Sequence, residues 1–534
     1  MIKSILYVGV LLAAVWLAAC SGSSTQTSAV NPATTRGALV ENPPLRIASL
    51  DAATLQADLA GTASGAQLLQ ATGNPACGVD FYYLKFWTVG GANESTESSG
   101  ALMVPTGSAA ACSGPRPIVL YAHGTQTNQA ANIADITNPG NSEGALIAAM
   151  FAAQGYIVVA PNYAGYDIST LGYHPYLNAT QQSEEMIDIL AAAKSALPNT
   201  LATASSDNGK LFVTGYSQGG YVAMATQRAL IAAGTTVTAA APMSGPYALE
   251  AFGDAIFFGS VDLGSTVFAP LVATSYQHEY ANIYTATTDI FAPTFASGID
   301  TLLPSTTPIG TIFADGLLPE TALFDNTTPI VTVPNNPQLS AQLTAALALP
   351  SDPNNPLTPL FDVGFGPNFL INNDYRVSYA LDAAADPDGA LPPSALPGAP
   401  LAAVPPTQTL RLAFYKNDMR NGNWAPNSPT LLCGGDQDPT VYFSVNTGTM
   451  AAFWSALVTA GEVSILDLNG TPAGPFAAIQ AGFQQSEQAQ LAYYESPAGG
   501  SNSLQGAELL LVEGYHVAVA PFCSLAARAF FSQF

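Results

Sequence analysis

The sequence predicts an α/β protein built on a mainly parallel β-sheet with helices packed on both faces. Short apolar runs, typical of strands buried on both faces, recur along the chain. From residue 117 to residue 244 these runs alternate with segments of helical periodicity. Such alternation is typical of parallel strands that are joined by helical crossovers.

Eight apolar runs are predicted to be strands. They are residues 81–89, 100–105, 117–124, 156–162, 211–215, 237–244, 429–435 and 463–468. Helices are predicted over 143–154, 178–196 and 218–233, and "IASLDAATLQADLAGTASGAQLLQ" (47–70) is predicted to form one or two N-terminal helices. The first two strands are expected to be neighbours, because a polar turn joins them.

The interval after the sixth predicted strand, residues 249–427, is rich in Pro, Phe and Leu and lacks strand periodicity. A separate domain or a disordered segment would also interrupt the alternation. An ordered cap is favoured, because many Phe and few charged residues make a composition that is buried in folded proteins. The predicted core therefore has two parts, residues 46–248 and 428–534, with the cap between them.

The composition excludes one large class of function. The 534 residues are 48% hydrophobic, which suffices for a large core, and 37 acidic against 13 basic residues give a formal charge of −24. A charge of this sign repels nucleic acids and anionic lipid surfaces. Nucleic acid is therefore not expected to be a partner.

The N-terminus is predicted to be an export signal. Lys3 precedes an apolar run over residues 5–19, and a polar stretch follows Cys20. Leu-Ala-Ala-Cys resembles the bacterial lipobox, whose cysteine becomes the lipidated first residue of the mature protein; a plain signal peptide with an incidental cysteine is the alternative. We predict a signal peptide over 1–19, lipidation of Cys20 and a flexible tether over 20–45. The protein would then be an exported lipoprotein of a bacterial outer membrane or cell surface, with the periplasmic side as the alternative, and would touch the membrane through its lipid anchor only.

The stretch LFVTGYSQGGYVAM (211–224) raises a question, because small and polar residues interrupt its apolar run. They form the pattern Gly-x-Ser-x-Gly around Ser217, between a predicted strand and a helix that begins near Tyr221. A serine at such a tight turn needs small neighbours, and the positive end of the helix dipole lies at its hydroxyl. Ser217 is therefore predicted to be a nucleophile.

The same pattern occurs a second time, in GNSEG (140–144). There it follows the turn-forming residues TNP (137–139) and not a strand. Ser142 is accordingly predicted to be the N-cap of a helix that begins near Glu143, and not a nucleophile.

Eight strands with a serine turn after the fifth resemble the α/β-hydrolase fold, and within it the secretory lipase family and related bacterial esterases. YAHGT (121–125) follows the third strand, where the family has its His-Gly oxyanion loop. PNYAGY (161–166), which leads to HPYL (174–177), is similar to the family's segment after the fourth strand. The resemblance covers residues 78–534. It implies an eight-stranded, mostly parallel sheet with a large, mainly helical cap inserted between strands 6 and 7.

The fold implies that an acid and then a histidine follow the nucleophile in the sequence. His123 and His174 precede Ser217, so they are expected to shape loops, and His278 lies in the predicted cap. His516 remains as the base. It is predicted to lie on a loop after the last strand and before a C-terminal helix.

The acid is expected on the loop after the seventh strand, where GGDQDPTV (434–441) offers two carboxylates. Asp438 fits the family's spacing between a glycine and a valine, whereas Asp436 is predicted to form a turn. The usual proline after this valine is absent. The resemblance also implies that the backbone N–H groups of Thr125 and Gln218 form an oxyanion hole.

Besides Cys20 the chain has Cys77, Cys112, Cys433 and Cys523. An even number in an oxidising compartment predicts two disulfides with three possible connectivities, and four free buried thiols are the alternative. We favour Cys77–Cys112, which would close the start of the sheet. Its counterpart, Cys433–Cys523, would hold the predicted acid and base segments together.

The sequence thus predicts an exported serine esterase or lipase that hydrolyses hydrophobic carboxylic esters through an acyl-enzyme. No cofactor or metal is expected, since the sequence has no His/Cys cluster with ligand spacing. A peptidase or another acyl hydrolase on the same fold is one alternative, because the triad does not choose between ester and amide. A surface binding lipoprotein that has lost catalysis is the other, and the three matching triad positions disfavour it.

Overall fold

The structure is a computed structural model, and it describes residues 35–534 except 139–140, 198–200, 202, 353–354, 356, 386–404, 423, 456, 460, 497–498, 500 and 502. The predicted signal peptide, Cys20 and most of the predicted tether lie outside the described residues. Export and lipidation therefore stay predictions.

One sheet of nine strands forms the centre of the protein. In chain order they are β1 (Leu45–Leu50), β2 (Gly78–Val89), β3 (Ser95–Thr106), β4 (Gly114–Ala122), β5 (Ile157–Pro161), β6 (Ser205–Tyr216), β7 (Ala239–Met243), β8 (Thr430–Gly434) and β9 (Val463–Asp467). Their spatial order is β1-β2-β3-β5-β4-β6-β7-β8-β9. The strands from β5 to β9 in this order pair in parallel, whereas β1, β2 and β3 pair antiparallel at one edge. The prediction of a mostly parallel sheet is confirmed.

The α-helices cover the sheet and build the inserted cap. They are α1 (Ala52–Ala60), α2 (Ala63–Thr72), α3 (Ser142–Met150), α4 (Ala179–Ala196), α5 (Gln218–Ala232), α6 (Leu249–Phe257), α7 (Ser265–Tyr280), α8 (Ile309–Ala314), α9 (Pro337–Ala346), α10 (Thr358–Asp362), α11 (Asn373–Ala385), α12 (Thr409–Asn417), α13 (Thr449–Trp454), α14 (Ala477–Tyr494), α15 (Leu504–Glu513) and α16 (Tyr515–Phe531).

Alternate strand residues feed two hydrophobic cores, one on each face of the sheet. Val119 and Phe212 point into the core beneath α3 and α16, and their chain neighbours Leu120 and Val213 point into the core beneath α4 and α5. Because successive side chains of a strand point to opposite faces, a strand covered on both faces is apolar throughout. This geometry explains the uninterrupted apolar runs in the sequence.

The first strand is absent from the prediction, which places residues 47–50 in a helix. These residues instead belong to β1, which adds a ninth strand by pairing with the open edge of β2. Helix α1 begins only after Asp51, whose carboxylate accepts a hydrogen bond from the Thr54 N–H at 2.7 Å. The N-cap at Asp51 thus starts the helix only after residue 50, and residues 45–50 are free to form a strand. The sheet therefore has nine strands and not eight.

The last part of the predicted tether also differs from expectation, since residues 35–44 pack against the core. Arg36 forms ion pairs with Glu184 at 3.0 Å and with Asp188 at 3.0 Å, both on α4. The Gly37 N–H donates to the Trp87 carbonyl on β2 at 2.8 Å. These contacts fix the chain before β1, so the described residues from 35 onward pack on the core, although the predicted flexible tether extends to residue 45.

The cap is the segment between β7 and β8, and its described residues are mainly helical, from α6 to α12. A fully buried ion cluster joins three of its helices. Arg411 of α12 contacts Glu250 at 3.0 Å and Asp254 at 2.8 Å on α6, and Asp382 of α11 at 3.4 Å. Removing one partner of such a buried cluster leaves an uncompensated charge and costs about 3–5 kcal/mol. The cluster therefore ties the cap together.

No single helix among the described residues has both the length and the apolar composition that crossing a membrane requires. The pair α15 and α16 meets both criteria together, but it is bent by 51°. Helix α16 packs against the sheet, and Cys523, Ala526 and Ala527 are buried there.

Two disulfides stabilise the core. Cys77, just before β2, is bonded to Cys112, and Cys433 in β8 is bonded to Cys523 in α16. The bonded residues are 35 and 90 positions apart in the sequence. Closing loops of this size restricts the unfolded chain, and in the chain-entropy account each bond stabilises the fold by about 4 kcal/mol.

We expect Cys433→Ala to lower the free energy of unfolding by about 4 kcal/mol, because the unfolded chain regains the freedom of the 90-residue loop. Urea unfolding followed by tryptophan fluorescence measures the change. The double variant Cys433→Ala/Cys523→Ala serves as the control, and its stability should equal that of either single variant. Additive losses would contradict a bond between these two residues.

Candidate active site

Ser217 lies between β6 and α5 in a strained turn. Its backbone has φ 60° and ψ −123°, a combination that residues other than glycine rarely adopt. The turn is packed so tightly that a Cβ on Gly219 would lie 1.9 Å from the Ala122 carbonyl oxygen, and one on Gly215 would lie 2.5 Å from the same atom. The Ser217 N–H donates to the Met243 carbonyl at 3.0 Å. The two glycines of the motif are therefore required by the contact between β6, α5 and β4.

Asp438 and His516 are brought together, although 78 residues separate them in the sequence. The distance between His516 Nδ1 and Asp438 Oδ2 is 2.6 Å. The other oxygen of this buried carboxylate accepts the N–H groups of Thr440 at 2.9 Å and Val441 at 3.0 Å. With Nδ1–H donating to the carboxylate, a neutral His516 keeps its lone pair on Nε2, where it can accept a proton.

His516 is in a helix, which corrects the prediction of a loop. It is the second residue of α16, and α14 and α15 lie between β9 and this helix. The apolar residues before it are helical, because Ser503 caps α15 by accepting the Gly506 N–H at 3.1 Å. The Tyr216 hydroxyl donates to the His516 carbonyl. The residue before the serine thereby fixes the first turn of α16.

Ser217 and His516 are not hydrogen-bonded to each other. Among the described residues, the buried Nε2 of His516 has no hydrogen-bond partner. In free enzymes catalytic hydrogen bonds are often long and shorten when substrate binds. The Asp438–His516 pair is thus assembled, whereas no hydrogen bond joins it to the serine.

Asp436 lies apart from this pair. It is exposed, and its N–H donates to Asp467 Oδ1 at 3.1 Å. It therefore forms a turn beside the next strand, and no described residue links its side chain to His516.

Glu143 holds the loop after β4, a role that the sequence interpretation missed. Its carboxylate accepts the Gly124 N–H at 3.1 Å and the Tyr121 O–H at 2.8 Å. Burial raises the pKa of this carboxyl group. The next N–H along the chain, that of Thr125, has no acceptor among the described residues. The Thr125 hydroxyl is fixed separately by the Tyr176 hydroxyl at 2.8 Å.

Glu143 belongs to the second Gly-x-Ser-x-Gly pattern, which forms the start of α3 and so fixes the position of this residue. The N-cap of α3 is Asn141, which accepts the Gly144 N–H at 3.0 Å, and Ser142 is the first helical residue. The prediction of Ser142 as the cap is therefore wrong by one residue. Asn141 is held at the N-cap position because its amide also donates to three backbone carbonyls of the preceding turn.

His174 and Gln218 fix each other behind the serine turn. Burial lowers the pKa of His174 to about 3, so the ring stays neutral. Its Nδ1–H donates to the Ala164 carbonyl at 2.9 Å, which leaves Nε2 to accept from the Gln218 side-chain amide at 2.7 Å. The backbone N–H of Gln218 begins α5 and has no acceptor among the described residues.

The other two histidines lie outside the site. His123 bridges the loop after β4, with Nδ1 2.7 Å from the Gly124 carbonyl and Nε2 3.2 Å from the Asn162 carbonyl. His278 of the cap stacks on Tyr173, with ring centroids 3.7 Å apart. His123 therefore shapes a loop, as expected.

A cavity of about 100 Å³ opens beside Ser217 and extends into the cap. Its walls are mainly apolar and come from α6, α7, α12 and the segments between them. The lining residues include Leu249, Phe252, Ile256, Phe257, Phe268, Val272, Ile290, Leu323, Ile371, Leu410 and Phe414. The described residues contain no cluster of three or more His, Cys, Asp or Glu side chains that could hold a metal ion.

Comparisons with known proteins agree with this architecture. The model of the prolyl oligopeptidase family matches residues 144–247, which include the serine turn. No curated protein sequence matches the chain.

Solved structures match most of the chain. The rice cell wall degrading esterase LipA from Xanthomonas oryzae is 25% identical, with a TM-score of 0.59, over 86% of this chain and 98% of that chain. A ligand-bound form of the same esterase is also 25% identical, with a TM-score of 0.58, over 81% and 91%. A putative hydrolase from Legionella pneumophila is 18% identical, with a TM-score of 0.58, over 92% and 96%, which supports the fold alone. The chain therefore has the α/β-hydrolase fold, with a helical cap over its serine turn.

Proposed function

We propose that the protein is a serine hydrolase of carboxylic esters, in which Ser217 is the nucleophile, His516 the general base and Asp438 the residue that orients His516. The observation that carries the proposal is the 2.6 Å contact between His516 and Asp438 at the end of the sheet where the strained Ser217 turn also lies. The similarity to an esterase, 98% of whose chain is matched, supports the proposal.

The reaction follows from the positions of these groups. His516 Nε2 takes the proton of the Ser217 hydroxyl as its oxygen attacks the ester carbonyl. The oxyanion that forms accepts hydrogen bonds from the N–H groups of Thr125 and Gln218. His516 then passes the proton to the leaving alcohol, and a water molecule releases the acyl group by the same steps in reverse order.

The cavity favours a hydrophobic ester over a polar one. Its walls contain many Phe, Leu and Ile side chains and expose few polar groups. An acyl chain or a bulky apolar alcohol loses contact with water there, at about 25 cal/mol per Å² of buried surface. We infer that the cap sets which esters are accepted.

The match to the prolyl oligopeptidase family makes a peptidase the second candidate. This match covers the serine turn and the strands around it, which both kinds of hydrolase share. A peptidase that holds a substrate amine requires clustered carboxylates, and Asp262 is the one carboxylate among the described residues that line the cavity. The cavity therefore favours esters.

The two disulfides are consistent with an oxidising compartment, such as the periplasm or the cell exterior. Export and lipidation of Cys20 remain part of the proposal, because they depend on residues 1–20 of the sequence.

We expect Ser217→Ala to abolish hydrolysis of p-nitrophenyl esters and labelling by a fluorophosphonate probe, because the attacking hydroxyl is lost. Ser142→Ala, which changes the serine of the second motif, is the matched control and should retain both. Steady-state rates and mass spectrometry of the labelled protein measure the outcome. Aminoacyl anilides tested beside the esters distinguish a peptidase, which would hydrolyse them faster.

We expect Asp438→Asn to lower kcat by about 10³- to 10⁴-fold, because the buried amide no longer holds His516 in the tautomer that accepts a proton. Asp436→Asn should change kcat less than about twofold, because this side chain is exposed and lies apart from His516. Stopped-flow or steady-state kinetics at pH 8 measure both variants. The opposite ranking would assign the acid to Asp436.

We expect Glu143→Gln to lower kcat by about 10- to 100-fold with little change in KM, because the amide NH2 replaces the oxygen that lies 3.2 Å from the Gly124 nitrogen, so that two donors face each other and the oxyanion loop shifts. Glu320→Gln, at an exposed position of the cap, is the control and should match the wild type. Kinetics and thermal unfolding are measured together. A loss of stability without a loss of kcat would reduce Glu143 to a purely structural role.

A further inference from the structure

The cavity beside Ser217 contains one carboxyl group, that of Asp262, which the proposed reaction does not use. Asp262 precedes α7 and is 4% exposed. It lines the cavity together with Ser265 and Thr440, while most of the remaining wall is apolar. A buried polar group in an apolar cavity is costly unless it has a partner.

The partners of Asp262 within the protein are few. The Ser265 hydroxyl donates to its carboxyl group, and no Lys, Arg or His among the described residues forms an ion pair with it. Burial first, and then the charge of Asp438, raise its pKa to about 7. Near neutral pH the group therefore exists in both forms, and it can donate as well as accept a hydrogen bond.

The segment that carries Asp262 is held against the loop of the predicted acid. The Leu263 N–H donates to the Pro439 carbonyl at 3.1 Å, and the Tyr442 hydroxyl donates to the Ser260 carbonyl at 2.7 Å. These bonds join the start of the cap to the residues that follow Asp438. Asp262 is therefore fixed at the end of the cavity that adjoins the reacting groups.

Further polar groups surround the same end. Tyr176 lines the cavity, and its hydroxyl lies 2.8 Å from the Thr125 hydroxyl on the oxyanion loop. Thr440 lies two residues after Asp438. The cavity thus receives polar groups from segments that contact the oxyanion loop and follow Asp438, and most of its other lining residues are apolar.

We propose that Asp262 is a specificity-determining residue that hydrogen-bonds to a hydroxyl group of the substrate, so that the preferred esters carry a hydroxyl close to the ester carbonyl and an apolar remainder. A hydroxyl satisfies the carboxyl group as both donor and acceptor, whereas a plain alkyl chain leaves it buried without a ligand. This inference rests on the proposed ester hydrolysis and adds the class of ester.

Two substrates of the same shape test it. p-Nitrophenyl 3-hydroxybutyrate carries the hydroxyl, and p-nitrophenyl 3-methylbutyrate has a methyl group in its place. We expect the wild-type enzyme to prefer the hydroxy ester by about tenfold or more in kcat/KM, because a site built around a hydroxyl discriminates against the analogue that lacks it. Asp262→Leu should reverse the preference and still hydrolyse the methyl ester, whereas Asp262→Asn should keep a preference for the hydroxy ester.

Asp315→Leu, at an exposed position of the cap, is the control and should show the wild-type ratio. A ratio near one in the wild type, or a ratio that Asp262→Leu leaves unchanged, would overturn the role of Asp262 while ester hydrolysis stands. If neither ester is hydrolysed by the wild type, the proposed function fails instead. p-Nitrophenyl 3-aminobutyrate completes the set, and its faster hydrolysis would show that the carboxylate binds a cation and not a hydroxyl.

Discussion

The backbone conformation of Ser217 is the constraint on which the site depends. A serine at φ 60° is strained by about 1–3 kcal/mol, and only close packing on several sides keeps it there. The Ala122 carbonyl of β4 lies where a Cβ of Gly215 or Gly219 would be, and the Met243 carbonyl of β7 holds the Ser217 N–H. The strand before the serine, its two neighbours in the sheet and the helix after it thus fix one turn.

The remaining groups are attached to this turn by separate connections. Tyr216 holds the start of α16 through the carbonyl of His516, and the Cys433–Cys523 bond ties α16 to β8, the strand that precedes Asp438. Glu143 holds the loop after β4 from the other side. Each connection joins elements that are far apart in the sequence, so the geometry near Ser217 depends on the whole sheet and not on the motif alone. Small displacements of such groups reduce catalysis steeply.

The fold can be predicted well from the sequence, because the prediction depends on two local signals, the apolar runs and the glycines of the serine turn. Uninterrupted apolar runs identify strands such as β4 and β6, and glycines around Ser217 identify the turn. The strand β1 is missed, because its six residues are mostly exposed at the edge and merge with the helical pattern that follows Asp51. His516 is predicted as the base from its order in the chain, but its helix is missed, because α15 has the apolar composition of a buried strand. Glu143 lies in the second Gly-x-Ser-x-Gly pattern, but neither its contact with the Gly124 N–H nor the burial of Asp262 has a local signal, because both arise from segments that meet only in the folded protein.

The two ways in which the cap buries charge explain why Asp262 stands out. Around Arg411, three carboxylates share one guanidinium group, so the desolvation of each charge is offset by an ion pair. Asp262 is also buried, and the Ser265 hydroxyl, not a cation, donates to its carboxyl group, although a leucine of similar size would fit an apolar wall without that cost. Stability therefore does not account for a carboxyl group at this position. The proposed substrate hydroxyl accounts for it, because Asp262 lines the cavity that begins at Ser217.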